Sequence, residues 1–379
     1  MFGIPHARLR GASVGLGILA ISGLALALGT APASAVPPVY TVSPTTIPVG
    51  AFPLGINLTP SGNELLVVNN NGQSLSVIDP TTNSVTSTVN LAGGSYPVAL
   101  AFGSSASGLA WFTDAGRKDI SSLDLATNVV TDYPTLQKPG ELAITPNGDT
   151  AIATDYFSDT IEFFSLSSHS ITQVVVGGSP EAVAISPDGT TAYVTNMSGS
   201  VSVVDIATET VIATIPLGGS PYGVTLTPDG TTAYVSDQNG DTVSVIDTTT
   251  NTVTGSITVG SSPAHITISP NGETAFVANR GADTVSVIDL ATNTVTDTIT
   301  VGSGPWDTAF NAAGTKAYVT NDNDGTVSII SIGDPVVTRP TLPTTGLDPL
   351  PLALGAGILL ATGAALLLLR RRRALPPRA

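Results

Sequence analysis

The stretch Gly178–Val211, GSPEAVAISPDGTTAYVTNMSGSVSVVDIATETV, decides how the rest of the chain is read. Three apolar, alternating runs lie inside it, Ala182 to Ile185, Thr191 to Thr195 and Ser200 to Asp205, separated by Pro-Asp-Gly and by Asn-Met-Ser-Gly. Period-two alternation of Val, Ile, Tyr and Thr, bounded by Gly, Pro, Asn and Asp, predicts half-buried antiparallel strands. Ser186-Pro187-Asp188-Gly189 supplies the first turn, in which Pro presets φ and Gly accepts a positive φ at low steric cost. A fourth strand is expected to begin near Val211 and to end at Gly218-Gly219-Ser220-Pro221.

The same unit recurs along most of the 379-residue chain. Its glycine-centred first turns align at Gly62, Gly148, Gly189, Gly230, Gly272 and Gly314, and from Gly148 onward they stand 41 or 42 residues apart. The 86 residues from Gly62 to Gly148 hold two units, the weaker of them Ala99 to Val130, so that seven units fit the chain. Four antiparallel strands in about 42 residues is the spacing of a propeller blade, whereas a parallel β-helix needs much shorter coils. The expected fold is therefore all-β, a seven-bladed propeller with four antiparallel strands per blade. Its last unit supplies only three strands, Asp307 to Phe310, Lys316 to Thr320 and Thr326 to Ile332. At the other end, Thr45 to Gly50 aligns with Gly255 to Gly260, a fourth strand, so an N-terminal strand is expected to close the ring. Without it two blade edges would stay open to aggregation.

Ala192-Tyr193-Val194-Thr195-Asn196 and Ala317-Tyr318-Val319-Thr320-Asn321 carry the signature of the YVTN-repeat β-propellers, and the chain resembles that family from about residue 45 to 332. Ala233 to Asp237, Ala275 to Asn279 and Leu66 to Asn70 are variants of the signature, and Val-Ser-Val-Ile-Asp at Val243 to Asp247 and Val285 to Asp289 fits the same pattern. The resemblance implies a fold and an extracellular setting, since the family is found in surface and secreted proteins. It implies little about activity.

The two ends speak to location. Residues 1–35 read as a signal peptide with a helical core: His6, Arg8 and Arg10, an apolar core from Val14 to Leu28, then Ala33-Ser34-Ala35 as a small-residue cleavage site. Residues 36–44 are expected to form an N-terminal arm, 45–332 the propeller and 333–341 a short Pro-rich linker. Residues 342–379 combine Leu342-Pro343-Thr344-Thr345-Gly346, an uncharged span from 350 to 369 long enough to cross a bilayer as a helix, and a basic tail from 370 to 379. In this order they resemble a Gram-positive LPXTG sorting signal. That resemblance implies a sortase that cuts after Thr345 and joins it to peptidoglycan, so that the membrane is met only through the C-terminal segment before cleavage. A retained transmembrane anchor is the alternative.

Composition narrows the partners. The net charge is −15, and between residues 36 and 346 the only basic side chains are Arg117, Lys118, Lys138, Arg280, Lys316 and Arg339. Such a field repels phosphate backbones, so nucleic acid is not an expected partner. The chain has no cysteine, which removes disulfides, thiolate metal sites and a Cys nucleophile. Serine is abundant, but with few His or Lys residues to activate it no nucleophile constellation emerges.

Candidate site residues emerge where the repeats disagree. Two places after the repeated proline stand Gly55, Ala99, Glu141, Ala182, Gly223, His265 and Asp307. Small residues suit a crowded axis, so Glu141, His265 and Asp307 are the ionisable exceptions, with Tyr222 and Trp306 beside them as stacking groups. No metal ligand set is assigned, although carboxylates could hold calcium. Asn321-Asp322-Asn323-Asp324-Gly325 begins like a calcium loop, but its twelfth position is Ile332, which offers no bidentate carboxylate. Streptogramin-lyase-like and lactonase-like propellers depend on a cluster of His, Glu, Asn or Arg at the channel, and no such cluster stands out in the text of the sequence. The expected function is that of a wall-anchored extracellular propeller acting as a binding, adhesion or scaffold module for an unidentified protein or glycan, with no catalytic residues assigned. The alternative is a channel-centred lyase or lactonase-like enzyme, with or without calcium.

Overall fold

A computed structural model describes residues 38–103 and 108–333. The expected signal segment, the sorting signal at 342–379 and all but the first residue of the linker lie outside the described residues. Seven antiparallel sheets follow one another around a ring, and no helix occurs among the described residues. The quoted stretch forms most of blade 4, whose strands, first to fourth from the axis outward, are Pro180–Ile185, Thr191–Asn196, Ser200–Asp205 and Thr210–Pro216. Gly189 takes φ 73° in the first turn, and the aligned Gly62, Gly148, Gly230, Gly272 and Gly314 take φ between 67° and 76°. Each turn thus uses the conformational freedom that the sequence assigns to it.

The alternation has a different meaning from a half-buried strand. Ala192 and Val194 pack into the cluster shared with blade 3, while Tyr193 points the other way into the cluster shared with blade 5. A middle strand is therefore buried on both faces, and alternation selects which neighbour a side chain meets. The hydrophobic core is distributed over seven such clusters, one in each gap between blades.

The ring closes on blade 7, with strands Pro305–Phe310, Lys316–Asn321 and Thr326–Gly333. Ile47–Pro48 pairs with Val327 and Thr326, in the phase expected from the alignment of Thr45 to Gly50. Pairing also extends into the 36–44 arm, where Val39–Val42 pairs with Ile330 to Gly333. The closing strand is thus in two pieces, separated by a loop at 43–46 that returns through a Ser43 N–H bond to the Ile329 carbonyl at 2.9 Å. The arm is a strand because its alternation sends Tyr40 and Val42 into the gap between blades 6 and 7, where Tyr40 meets Phe276 edge-on at 5.7 Å.

Each letter of the repeated Tyr-Val-Thr-Asn has a structural task. The Tyr hydroxyl reaches the outer turn of the next blade: Tyr234 donates to Asn293 Oδ1 at 2.7 Å, and Tyr318 donates to the Pro80 carbonyl at 3.0 Å, across the ring closure. The Asn amide of Asn196 donates to Ser200 and Ser202 and accepts from the Gly177 N–H at 3.1 Å. A Cβ on Gly177 would stand 2.6 Å from Asn196 Cγ, so glycine is the residue that admits this contact. The Thr serves the axis, as described below. By chain direction the first strands start, the second meet the third, and the fourth hand over to the next blade all on one face, here called the upper face.

Candidate functional site

In six of the seven blades the first strand does not run straight from its proline. Pairing breaks between the proline and the third residue after it, as between Pro180 and Val183 or Pro263 and Ile266. The two intervening residues form a bulge, which turns side chains out of the strand's own alternation. The N–H freed at the second of them is taken by the Thr or Ser of the second strand, and the same hydroxyl donates to the next blade. Thr195 Oγ1 accepts from Ala182 N at 2.9 Å and donates to the Tyr222 carbonyl at 2.5 Å. Thr154 repeats this with Glu141 N and the Glu181 carbonyl, and Thr320 with Asp307 N and the Leu54 carbonyl. The hydroxyl thereby fixes the backbone that carries the candidate side chains.

These bulges and the lead-in to Leu142 gather the candidates at the upper mouth of the channel. Glu141 of blade 3 reaches His265 of blade 6, with Oε1 3.5 Å from Nε2 and side-chain exposures of 19% and 14%. Tyr222 lies edge-on to His265 at 5.8 Å and to Trp306 at 5.6 Å. Trp306 leans on the apolar cluster that contains Leu54 and Val98, while its other neighbours are ionisable. Apolar and ionisable side chains therefore meet at Trp306. The Trp306 Nε1–H is buried and has no hydrogen-bond partner among the described residues.

Asp307 has a different part from Glu141. Its Oδ2 accepts from Ile56 N at 3.2 Å and its Oδ1 from Thr308 N at 2.7 Å, so both oxygens tie the backbone where blade 7 meets blade 1. Glu181, Arg280 and Asp322 are members that the column of second residues passes over. Glu181 stands one place after its proline and accepts a hydrogen bond from the Tyr222 hydroxyl. The guanidinium of Arg280 sits 5.1 Å from the Trp306 ring centre and is held by Asp322 at 2.8 Å. A comparison of first as well as second residues, and of the residue after each repeated Asn, would have found all three.

Burial dominates the electrostatics. It raises Glu141 from 4.5 to about 7; the attraction of His265 opposes the rise, and Asp307 and Glu181 add to it. Glu181 and Asp307 are raised as well, first by burial. Burial and then the charge of Glu181 hold the Tyr222 hydroxyl well above its ordinary value. Folded Glu141 thus binds its proton more tightly than the unfolded chain does, so its own contribution to stability is fully present below pH 4.5 and is lost as pH rises through about 7. The loss approaches ~3 kcal/mol for Glu141, at 1.36 kcal/mol per pH unit. Urea midpoints at pH 5 and pH 8 should therefore differ more for the natural protein than for Glu141→Gln, and equal slopes would contradict this desolvation.

Among the described residues no group of three or more His, Asp or Glu side chains is arranged to hold a metal ion. In the hairpin at 321–325 the Asn321 amide bonds Thr326 and Ser328, Asp322 holds Arg280, and Asp324 accepts from Ser303 N. What the mouth offers chemically is a carboxyl that exchanges its proton near neutrality beside an imidazole, two further acids, and aromatic faces.

Comparison with known proteins agrees with this architecture. A family model for a YNCE-like beta-propeller matches residues 228–332. A search of curated protein sequences returns no match. Among solved structures, hydrazine synthase from Kuenenia stuttgartiensis superposes with a TM-score of 0.68 at 20% identity, covering 74% of this chain and 96% of that one. Streptogramin B lyase superposes with a TM-score of 0.68 at 17% identity, covering 78% of this chain and 98% of that one. At such identities the likeness is one of fold: the chain is a seven-bladed propeller of repeated units.

Proposed function

We propose that the protein is an exported propeller, displayed on a Gram-positive cell wall through Leu342–Gly346, that binds a ligand at the upper mouth of its channel. The observation that carries the binding reading is convergence. Five consecutive blades, 3 to 7, send Glu141, Glu181, Tyr222, His265, Trp306 and Asp307 to one mouth, while blades 1 and 2 contribute Leu54 and Val98. The desolvated Trp306 Nε1–H is costly to maintain without a partner, and a ligand that meets it recovers that cost. Propellers serve many functions, so the fold itself adds nothing to this argument.

A ligand in the mouth changes the surroundings of Trp306. Intrinsic fluorescence of the intact protein, titrated with a panel of peptides, amines and neutral oligosaccharides, should show a saturable change for one class. That change should disappear in Trp306→Phe and weaken about tenfold or more in Glu181→Gln. No saturable change for any class would overturn the binding reading.

A second reading is favoured by one observation. Glu141, at about 7 and beside His265, is placed for proton transfer at neutral pH, as a channel-centred lyase or lactonase-like enzyme requires. Streptogramin B lyase shares the ring. Turnover of a cyclic ester by the natural protein, lost in Glu141→Gln, would move the protein to that class.

A further inference from the structure

The repeats also disagree in a second place, deeper in the channel. The third residue after each repeated proline is Ile, Leu or Val in six blades, as at Ile56, Leu142 and Val224, but Thr308 in blade 7. The fourth is Ala or Thr in six blades and Asn57 in blade 1. Blades 6, 7 and 1 adjoin around the ring closure, and their first strands bring these departures to one cavity of about 310 Å³, lined by Asn57, Thr267, Ile268, Thr308 and Phe310 among others. Asp307 stands at its upper end. The cavity reaches Pro270, in the first turn of blade 6, so it lies towards the lower end of the channel.

The polar groups here are neutral and unspent. Thr308 is 3% exposed, and its hydroxyl has no hydrogen-bond partner among the described residues. Buried hydroxyls are nearly always paired, so an orphan beside a cavity, at a position that is apolar in the other blades, calls for a partner from outside the chain. The exposed Asn57 amide also has no partner among the described residues. Thr267 Oγ1 donates to the Thr308 carbonyl at 2.7 Å, which leaves its oxygen free to accept. No basic side chain lines the cavity, and both oxygens of its one carboxyl, Asp307, already accept backbone N–H groups.

We infer that this lower cavity is a second ligand site and that it takes one ring of a neutral sugar. Its hydroxyls meet Thr308, Thr267 and Asn57, and its C–H groups pack on Ile268 and Phe310. The chemistry of the lining selects this class. An apolar molecule leaves the Thr308 hydroxyl unpaired, and an ion meets no free charge of opposite sign, whereas adjacent hydroxyls donate and accept at once. The volume stands at the lower end of the ~300–1,000 Å³ range of small-molecule sites, which suits a single ring rather than a peptide segment. The inference does not depend on what binds at the upper mouth.

The test is saturation-transfer NMR of the intact protein with glucose, mannose and N-acetylglucosamine, alongside butylammonium and N-acetylglycinamide as cationic and peptide-like probes. One of the sugars should give a saturable response. Thr308→Val restores the apolar character of the other blades, so it should keep or raise the melting temperature while weakening that sugar about fivefold, the worth of one hydrogen bond. Asn57→Ala should weaken it by a similar factor, and because Asn57 is exposed this variant keeps the fold. Trp306→Phe should leave the sugar affinity unchanged. Silence from every sugar, a sugar affinity indifferent to both Thr308→Val and Asn57→Ala, or a stronger response from butylammonium or N-acetylglycinamide overturns the inference. Loss of the sugar in Trp306→Phe overturns it as well, by moving that ligand to the upper mouth.

Discussion

Deleting residues 38–48 is expected to open blade 7 and lower the stability of the protein by more than any single substitution in the ring. The closing strand supplies Ile47, 2% exposed in the gap between blades 7 and 1, and Tyr40 and Val42 in the gap between blades 6 and 7. Truncating one buried Ile costs ~2–5 kcal/mol. Ile47→Ala should fall in that range, and the deletion should exceed it because the ladder to Thr326–Gly333 goes as well. The deletion also bares a long strand edge, so concentration-dependent association should accompany the loss. Urea unfolding of the three proteins gives the order natural, Ile47→Ala, deletion. A synthetic peptide of residues 38–48 added to the deletion variant should restore part of the difference. An unchanged midpoint for the deletion would show that closure lies elsewhere.

The second large effect concerns location. Under the proposed anchorage, Thr345→Ala should move the protein from the wall fraction to the membrane or the medium almost completely, because the acyl-transfer site is lost while the propeller is untouched. Fractionation after muramidase treatment reads the outcome. Covalent wall linkage that survives the substitution would sink the sorting reading, and a protein that remains in the membrane in both forms would favour the retained anchor.

Much of the fold was legible in the sequence because one unit is written repeatedly with its turn glycines in register. Gly189 and its equivalents need positive φ, and that requirement marks the blade period directly. The closing strand was legible in phase, since Ile47 occupies the place of Ile257. Its outer piece at Val39–Val42 was not, because an arm with several prolines reads as extended chain until Phe276 is known to lie beneath Tyr40. The alternation in Thr191–Asn196 was seen but not its meaning, since a sequence cannot show that a second sheet covers the outward face.

The site was legible to the extent that it departs from the repeat. Glu141, His265 and Asp307 stand out as ionisable residues in a column of small ones, and the structure brings Glu141 to His265 across the channel. What the column could not convey is that the bulge aims two consecutive residues at the mouth, which is why Glu181 was passed over while Tyr222 and Trp306, in the same place of their own blades, were noticed for their rings. Nor could it show that Asp307 is spent on backbone N–H groups. The roles of the repeated Thr and Asn depend on neighbours from other blades, and only folding supplies them.

The pairing of Val39 with Gly333 carries one more consequence. The third strand of blade 7 runs away from the upper face, and the closing strand runs towards it, so both ends of the ring leave side by side at the lower face. A tether attached beyond Gly333 therefore pulls from the side opposite the mouth. Under the proposed anchorage the molecule is mounted like a dish on a stem: a load on a ligand at the mouth and the reaction of the tether would act through opposite faces, and the mouth would look outward from the cell.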